Sequence, residues 1–223
     1  MAVPSSTTEL PAAYTGEYVM LRPVSQSDYP TLLSWRAQLT DFRVWSSFDG
    51  VPTFEQFAVE METVTRQSVM LAVARRDTGT LIGFLQAYGI NLVDGWCFLS
   101  AYFAPEYRRQ RYGAEAFLPF VDHLFRHFNL RKIYMEMQEF NMSFYDVAIK
   151  TGAFVEEGRF RSHTYHDNRY WDLIRVALYR ESWDKIRDWA HSVVHDQRAG
   201  MELVREHGLS TNGEQPDLKT EHV

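Results

Sequence analysis

The sequence predicts a three-layer α/β (α+β) fold, in which one mixed, mostly antiparallel sheet carries helices on both faces. Three observations predict it. Apolar residues switch repeatedly between strand-like and helical spacing, so strands and helices alternate along the chain rather than segregating. At 223 residues with 45% hydrophobic and 15% aromatic content, the chain can bury one sizeable core. A strongly apolar run, WCFLSAYF at 96–103, reads as a central strand covered on both faces.

The elements follow in order. Residues 1–16 are rich in Pro, Ser, Thr and Ala without apolar periodicity and read as a flexible leader. YVMLRP at 18–23 is a first strand. Ser27 and Asp28 can cap a helix running to Ala37, with Leu32, Leu33 and Trp35 on its apolar side. Residues 38–52 show no period but carry Phe42, Trp45 and Phe48, which suits either a binding loop or a cover for the core. Thr53 and Gln56 form a capping box, and Phe54, Phe57, Ala58 and Met61 recur at helical spacing behind it. Residues 69–75 and 81–88 form a hairpin around Asp77, Thr78 and Gly79.

Past the central strand, Phe117, Phe120, Val121, Leu124, Phe125 and Phe128 line one side of a helix over 113–128, where Pro119 predicts a kink. A strand over 132–137, a helix over 141–151 and a hairpin of 154–165 with 169–179, turning at His166, Asp167 and Asn168, complete the sheet. Residues 17–182 thus form the main domain. An amphipathic helix marked by Trp183, Ile186, Trp189, Ala190 and Val193 opens a C-terminal extension over 183–209, and 210–223 reads as disordered. The apolar stripe of that helix needs a partner, either its own domain or a second copy in a homodimer.

Charge and composition exclude several classes. A net charge of -6 disfavours nucleic acid as the main partner. No basic, then apolar, leader and no run long enough to span a membrane occurs, so a soluble, cytoplasmic protein is expected. Cys97, the single cysteine, can form neither an internal disulfide nor a thiolate metal site, and no metal is expected; its apolar neighbours mark it as a buried thiol.

The chemistry concentrates in FAPEYRRQRYGAEAF, 103–117, where a buried strand runs through a short loop into a helix. The first amides of such a helix have no intrahelical partners and suit a phosphate. Gly113 lets the backbone approach a ligand, and Arg108, Arg109 and Arg111 add positive charge for a diphosphate. Three arginines in a loop are by themselves more often a solvated surface; the strand, glycine and helix around them favour the site.

This stretch resembles the pyrophosphate loop of the GNAT acetyltransferase superfamily, which reads Gln or Arg, two residues, Gly, one residue, then Gly or Ala. Arg108 matches the first position and Gly113 the last, while Arg111 replaces the middle glycine. The resemblance covers about 18–183 and is similar to the RimJ and RimL branch: YVMLRPVSQSDYPTLLSW, LIGF, KIYMEMQEFN, KTGAFVEEGRFR and DNRYWDLIRVALYRESW follow in that branch's order.

The resemblance implies acetyl-CoA as co-substrate and an amine as acceptor. Coenzyme A would bind where the fourth and fifth strands splay at a β-bulge, along the backbone of Tyr102, Phe103 and Ala104 and over Arg108, Arg109, Gln110, Arg111, Tyr112, Gly113 and Ala114. It gives Asn141, eleven residues before Gly152, a bond to the coenzyme; an ordinary helix cap is the plain alternative. Many members carry a hydroxyl acid where this chain has Phe144 and Ala148, so Tyr145 or the less favoured Ser143 is the expected acid, unless Tyr145 is simply a packed aromatic. Glu136 and Glu139 are the candidate bases, beside a water-mediated route. Trp35, Trp45, Phe48 and Tyr102 suggest an aromatic acceptor wall, or core. The expected function is an N-acetyltransferase acting on a protein N-terminus or small-molecule amine; a catalytically impaired, acyl-CoA-binding regulator or scaffold is the alternative.

Overall fold

The structure, a computed structural model, describes residues 12–38, 50–108, 110–144, 148–149 and 152–195; the side chains of 143, 144, 189 and 192–195 lie outside the description. Its strands are β1 (Tyr14–Thr15), β2 (Val19–Pro23), β3 (Val69–Arg75), β4 (Leu81–Asn91), β5 (Trp96–Phe103), β6 (Lys132–Gln138), β7 (Phe154–His166) and β8 (Arg169–Tyr179). The helices are α1 (Tyr29–Ala37), α2 (Phe54–Gln67), α3 (Tyr112–His127) and α4 (Arg180–His195). One sheet orders the strands β1-β2-β3-β4-β5-β6-β8-β7. Every pairing is antiparallel except β5 with β6. That parallel pair needs a crossover, and α3 supplies it.

Local chemistry explains the boundaries. Thr53 and Gln56 close both halves of the predicted capping box at the start of α2. Asp167 and Asn168 take φ of 50° and 59°, the left-handed conformation that a two-residue hairpin turn requires and that these residue types tolerate. Arg22 grips Asp28 with two hydrogen bonds of 2.7 Å, tying β2 to the turn before α1. Asp28 is buried, which opposes ionisation, but the bonds from Arg22 and the Ser25 amide hold its carboxyl below the usual range.

Alternation along the strands sorts side chains to two faces. On the inner face, Val19, Leu21, Val73, Leu85, Cys97, Leu99, Ile133, Met135 and Met137 pack with Phe120, Val121 and Leu124 of α3 and with Trp183 of α4. On the outer face, Tyr102 and Ala104 pack with Tyr29, Leu32 and Trp35 of α1 and Phe57 and Met61 of α2. The Cys97 thiol is fully buried, and burial pushes it up to about 12. Trp183 donates from Nε1 to Asp122 Oδ1 at 2.9 Å, so α4 docks on α3 of its own chain.

Three expectations need correction. Regular structure occurs within the stretch 1–16, because Tyr14 and Thr15 pair with Leu21 and Met20. Among the described residues β5 is covered on both faces only near Tyr102; lower down, Trp96 and Phe98 stay partly exposed among them and meet Tyr134 rather than a described helix. Asn141 lies inside a 3-10 turn over Glu139–Phe144 that directly continues β6, not at the cap of a regular helix. Pro119 stands within α3, where Pro cannot return a hydrogen bond to the carbonyl of Glu115; the helix nevertheless runs on to His127.

Candidate active site

The site begins where β5 and β6 part. Their parallel pairing holds Trp96 to Lys132, Cys97 to Ile133 and Phe98 to Tyr134, and then stops. β5 continues for five residues, to Phe103, paired on its other edge only, and β6 continues to Gln138 paired with β8. A wedge-shaped gap therefore opens between residues 99–103 and 135–138. The register of β5 on β4 runs unshifted from Phe98 opposite Tyr88 to Phe103 opposite Gly83. The strands thus splay without the bulge that the resemblance implied.

Hydrogen-bond direction decides which backbone groups line the gap. The Ala104 amide donates to Ile82 of β4 at 2.9 Å, and in an antiparallel ladder alternate residues turn to the same neighbour. Tyr102 and Ala104 hence direct their backbone toward β4, while Ala101 and Phe103 direct theirs into the gap. Of the three backbone positions expected to line the groove, Phe103 alone faces it. On the opposite bank, Lys132 donates to Gly95 of the β5 side, and the same alternation turns the backbone of Glu136 and Gln138 into the gap.

The loop into α3 closes one end. Arg111 stands at the N-cap with no side-chain cap bond, and the first helical bond is Glu115 to Arg111, so the leading amides of α3 keep their donors. A Cβ added at Gly113 would meet nothing nearer than the Phe103 ring at 3.8 Å, which leaves an open approach to the backbone. The arginines do more than expected of them. Arg108 donates from Nε to the Phe103 carbonyl at 2.8 Å with its guanidinium 5.4 Å from the Tyr102 ring. Arg111 donates to the Tyr18 hydroxyl at 2.6 Å and lies 4.5 Å over that ring. Both therefore brace the loop against neighbouring strands. Gln110 likewise turns back, from Nε2 to the Glu106 carbonyl at 2.9 Å. Tyr112 packs its ring edge-on to Tyr107. Arg109 lies outside the described residues.

Sequence reasoning missed Tyr18 and Glu115 as parts of this corner. The Glu115 carboxylate, 2% exposed, accepts from the amides of Glu17 and Tyr18, pinning the start of β2 to the first turn of α3. An acid in the first turn of a helix was the available signal.

At the other end, Asn141 is 8% exposed and its amide is 3.4 Å from Gln138 Oε1, beside the mouth of the gap. Ser143 sits in the same 3-10 turn with its side chain outside the description, and Tyr145 falls outside the described residues, as do Trp45 and Phe48. Ala148 packs against the inner core. Trp35 is 6% exposed with its ring 5.3 Å from Tyr102, so these two are core beneath α1 and α2 rather than an open wall. Glu136 takes Arg175, and Glu139 takes Arg159 at 3.3 Å on the exposed hairpin. Among the described residues no group of His, Cys, Asp and Glu could hold a metal ion, and no helix is long and apolar enough to cross a membrane.

The family model of the GNAT acetyltransferase domain matches residues 19–153, more than half of the chain. This chain belongs to the GNAT acetyltransferases. As a GNAT-type acyltransferase, it has structural neighbours that include RimL. No curated protein matches it. Among solved structures, a GCN5-related N-acetyltransferase from Brucella melitensis is 21% identical over 81% of this chain and 84% of its own, with a TM-score of 0.64. Spermidine N-acetyltransferase from Vibrio cholerae, in complex with CoA and spermine, is 18% identical over 75% of this chain and 99% of its own, with a TM-score of 0.65. RimL, the ribosomal L7/L12 alpha-N-protein acetyltransferase, in complex with coenzyme A, is 15% identical over 77% of this chain and 99% of its own, with a TM-score of 0.65. At these identities the neighbours show a shared fold.

Proposed function

We propose that this GNAT enzyme transfers the acetyl group of acetyl-CoA to a primary amine, a protein N-terminus or a small-molecule amine, by direct attack in a ternary complex. The observation that carries this reading is the gap between β5 and β6 leading to the open amides of α3. The gap-facing backbone of Ala101 can pair with the amides of a pantetheine arm as an added strand would, the Phe103 carbonyl being taken by Arg108. The leading amides of α3 around Gly113, with the positive end of the helix dipole behind them, suit the diphosphate, and Arg109 and Arg111 add charge. Asn141 holds the arm at the far bank. The Phe103 amide is the donor for the oxyanion that develops at the thioester carbonyl.

Tyr145, or Ser143, protonates the departing thiolate; a thiol with an ordinary value near 8.5 leaves with modest help, so the acid assists rather than decides. The amine must lose its proton before attack, because an ammonium has no lone pair, and water on the open outer face can take it. A cytoplasmic setting, where acetyl-CoA is made and used, suits a chain with one buried cysteine.

The test is a coenzyme release assay: purified protein, acetyl-CoA and a panel of amines, with the freed thiol titrated and the acetylated product weighed. Product with at least one amine is expected. Tight coenzyme binding with no turnover across a broad panel would instead favour a regulatory acyl-CoA-binding role, a reading kept by the absence of a hydroxyl at Ala148.

A further inference from the structure

Resting on the acetyltransfer reading, we infer that Glu136 receives the acceptor's ammonium group at the outer mouth of the gap, and that Arg175 is the positioning residue that holds its carboxylate there. Ile133, Met135 and Met137 are buried in the inner core, so Tyr134, Glu136 and Gln138 lie on the outer face. Tyr134 belongs to the last pair before the strands part, and its ring stands 5.6 Å from that of Phe98. These two rings floor the fork. Glu136 is the next outward-facing residue of β6, at the bank of the gap opposite Ser100.

Its carboxylate is held and yet incompletely used. Arg175 lies directly opposite Glu136 in the β6–β8 register and donates both Nε, at 2.9 Å, and Nη2, at 2.5 Å, to the same oxygen, Oε1. Oε2 has no hydrogen-bond partner among the described residues. The Glu136 side chain is 26% exposed, enough to be reached from solvent. Arg175 is itself fixed, its guanidinium 5.1 Å from the Phe98 ring and 5.4 Å from those of Tyr134 and Phe160. A flexible glutamate would lose rotamer entropy on binding an amine; one already clamped loses less.

The other described acids around this sheet are differently placed. Glu157 has both oxygens committed, to Lys132, Tyr134 and Tyr179. Glu139 and Asp172 serve Arg159 out on the hairpin, and Asp172 also accepts from the Ser162 amide. Glu136 is thus the described carboxylate that combines a place at the fork, a fixed geometry and an oxygen to offer. Its role is to bind and orient the ammonium beside the coenzyme groove, with the proton lost later to water; no proton step is assigned to it.

The experiment measures steady-state kinetics at saturating acetyl-CoA with spermine and with a short peptide bearing a free α-amine, taking whichever the wild type acetylates faster. Glu136→Gln, which keeps the size, and Arg175→Met are expected to raise the KM for the amine about tenfold or more, with kcat changed less than about threefold, as loss of a charge-assisted bond used in ground and transition state alike would do. Arg175→Lys should restore most of the loss. Calorimetric affinity for coenzyme A should stay unchanged in every variant, and a thermal melt of Glu136→Gln close to wild type separates this from unfolding. An unchanged KM in Glu136→Gln overturns the inference, as does a defect confined to kcat, or a wild type that binds coenzyme A and acetylates neither amine. A wild type that fails to bind coenzyme A would remove the acetyltransfer reading itself.

Discussion

β5 and β6 are two strands with two different halves. In the lower half, from Trp96 to Phe98 and Lys132 to Tyr134, they pair backbone to backbone; in the upper half they do not. The inner face makes no such distinction, since Cys97 and Ile133 below and Leu99, Met135 and Met137 above are all buried against the same core. Side-chain burial under α3 holds the strands in one sheet after the ladder between them has ended. An opening in a sheet ordinarily costs unmade hydrogen bonds. Here Arg108 takes one orphaned acceptor, the Phe103 carbonyl, and the remaining gap-facing groups are what a ligand can use. Packing and backbone pairing are thus separated within one strand, one maintaining the fold and the other left for binding.

Substitutions in each half should then report on different quantities. The largest effect is expected from Ile133→Ala in the paired half. Ile133 is fully buried, and truncation of such a residue costs about 2–5 kcal/mol, so the melting temperature should fall sharply while coenzyme affinity per folded molecule stays unchanged. An affinity loss in the folded fraction would show that the halves are coupled.

Next in size is Glu157→Gln, also beside the paired half. Partial burial opposes ionisation of Glu157, but hydrogen bonds from Lys132, Tyr179 and Tyr134 outweigh it and hold the carboxyl at about 2. A value depressed below the ordinary 4.5 contributes stability that is present above that pH and is lost as pH falls toward 2. With the Glu157 side chain 21% exposed, the loss should be roughly 1–2 kcal/mol, below that of a fully buried pair. Melting curves of wild type and Glu157→Gln should stand apart at pH 7 and converge below pH about 4; a constant separation would mean that packing, not charge, is at work.

In the splayed half the readout moves from stability to binding. Gly113→Asp fits sterically, so its negative charge should weaken coenzyme A about tenfold or more by calorimetry with the melt little changed. Equal affinity would move the diphosphate off α3. The smallest effect is expected from Asn141→Ala, a lost hydrogen bond of about 1 kcal/mol and so roughly a fivefold weaker coenzyme A. Tyr145→Phe sharpens the same point, since a proton donor to the thiolate should change turnover and not affinity.

The elements, and the corner that the proposed function uses, are legible in the sequence because both depend on short-range rules. Apolar spacing, the Thr53 and Gln56 box and the Asp167 and Asn168 turn act within a few residues, and the strand, glycine and helix of 103–117 are contiguous. Tertiary structure decided how partners far apart in the chain use those elements. Arg111 reads in its loop as a source of charge for a diphosphate, and only the fold shows that it also meets Tyr18, 93 residues away. Trp35 reads in the sequence as acceptor wall or core, and only the fold decides, with α1 packing it against Tyr102. Glu136 and Arg175 are 39 residues apart and become neighbours through the β6–β8 register. Periodicity shows which side of an element is apolar, whereas register and long-range pairing depend on where the whole sheet closes, which no local pattern encodes.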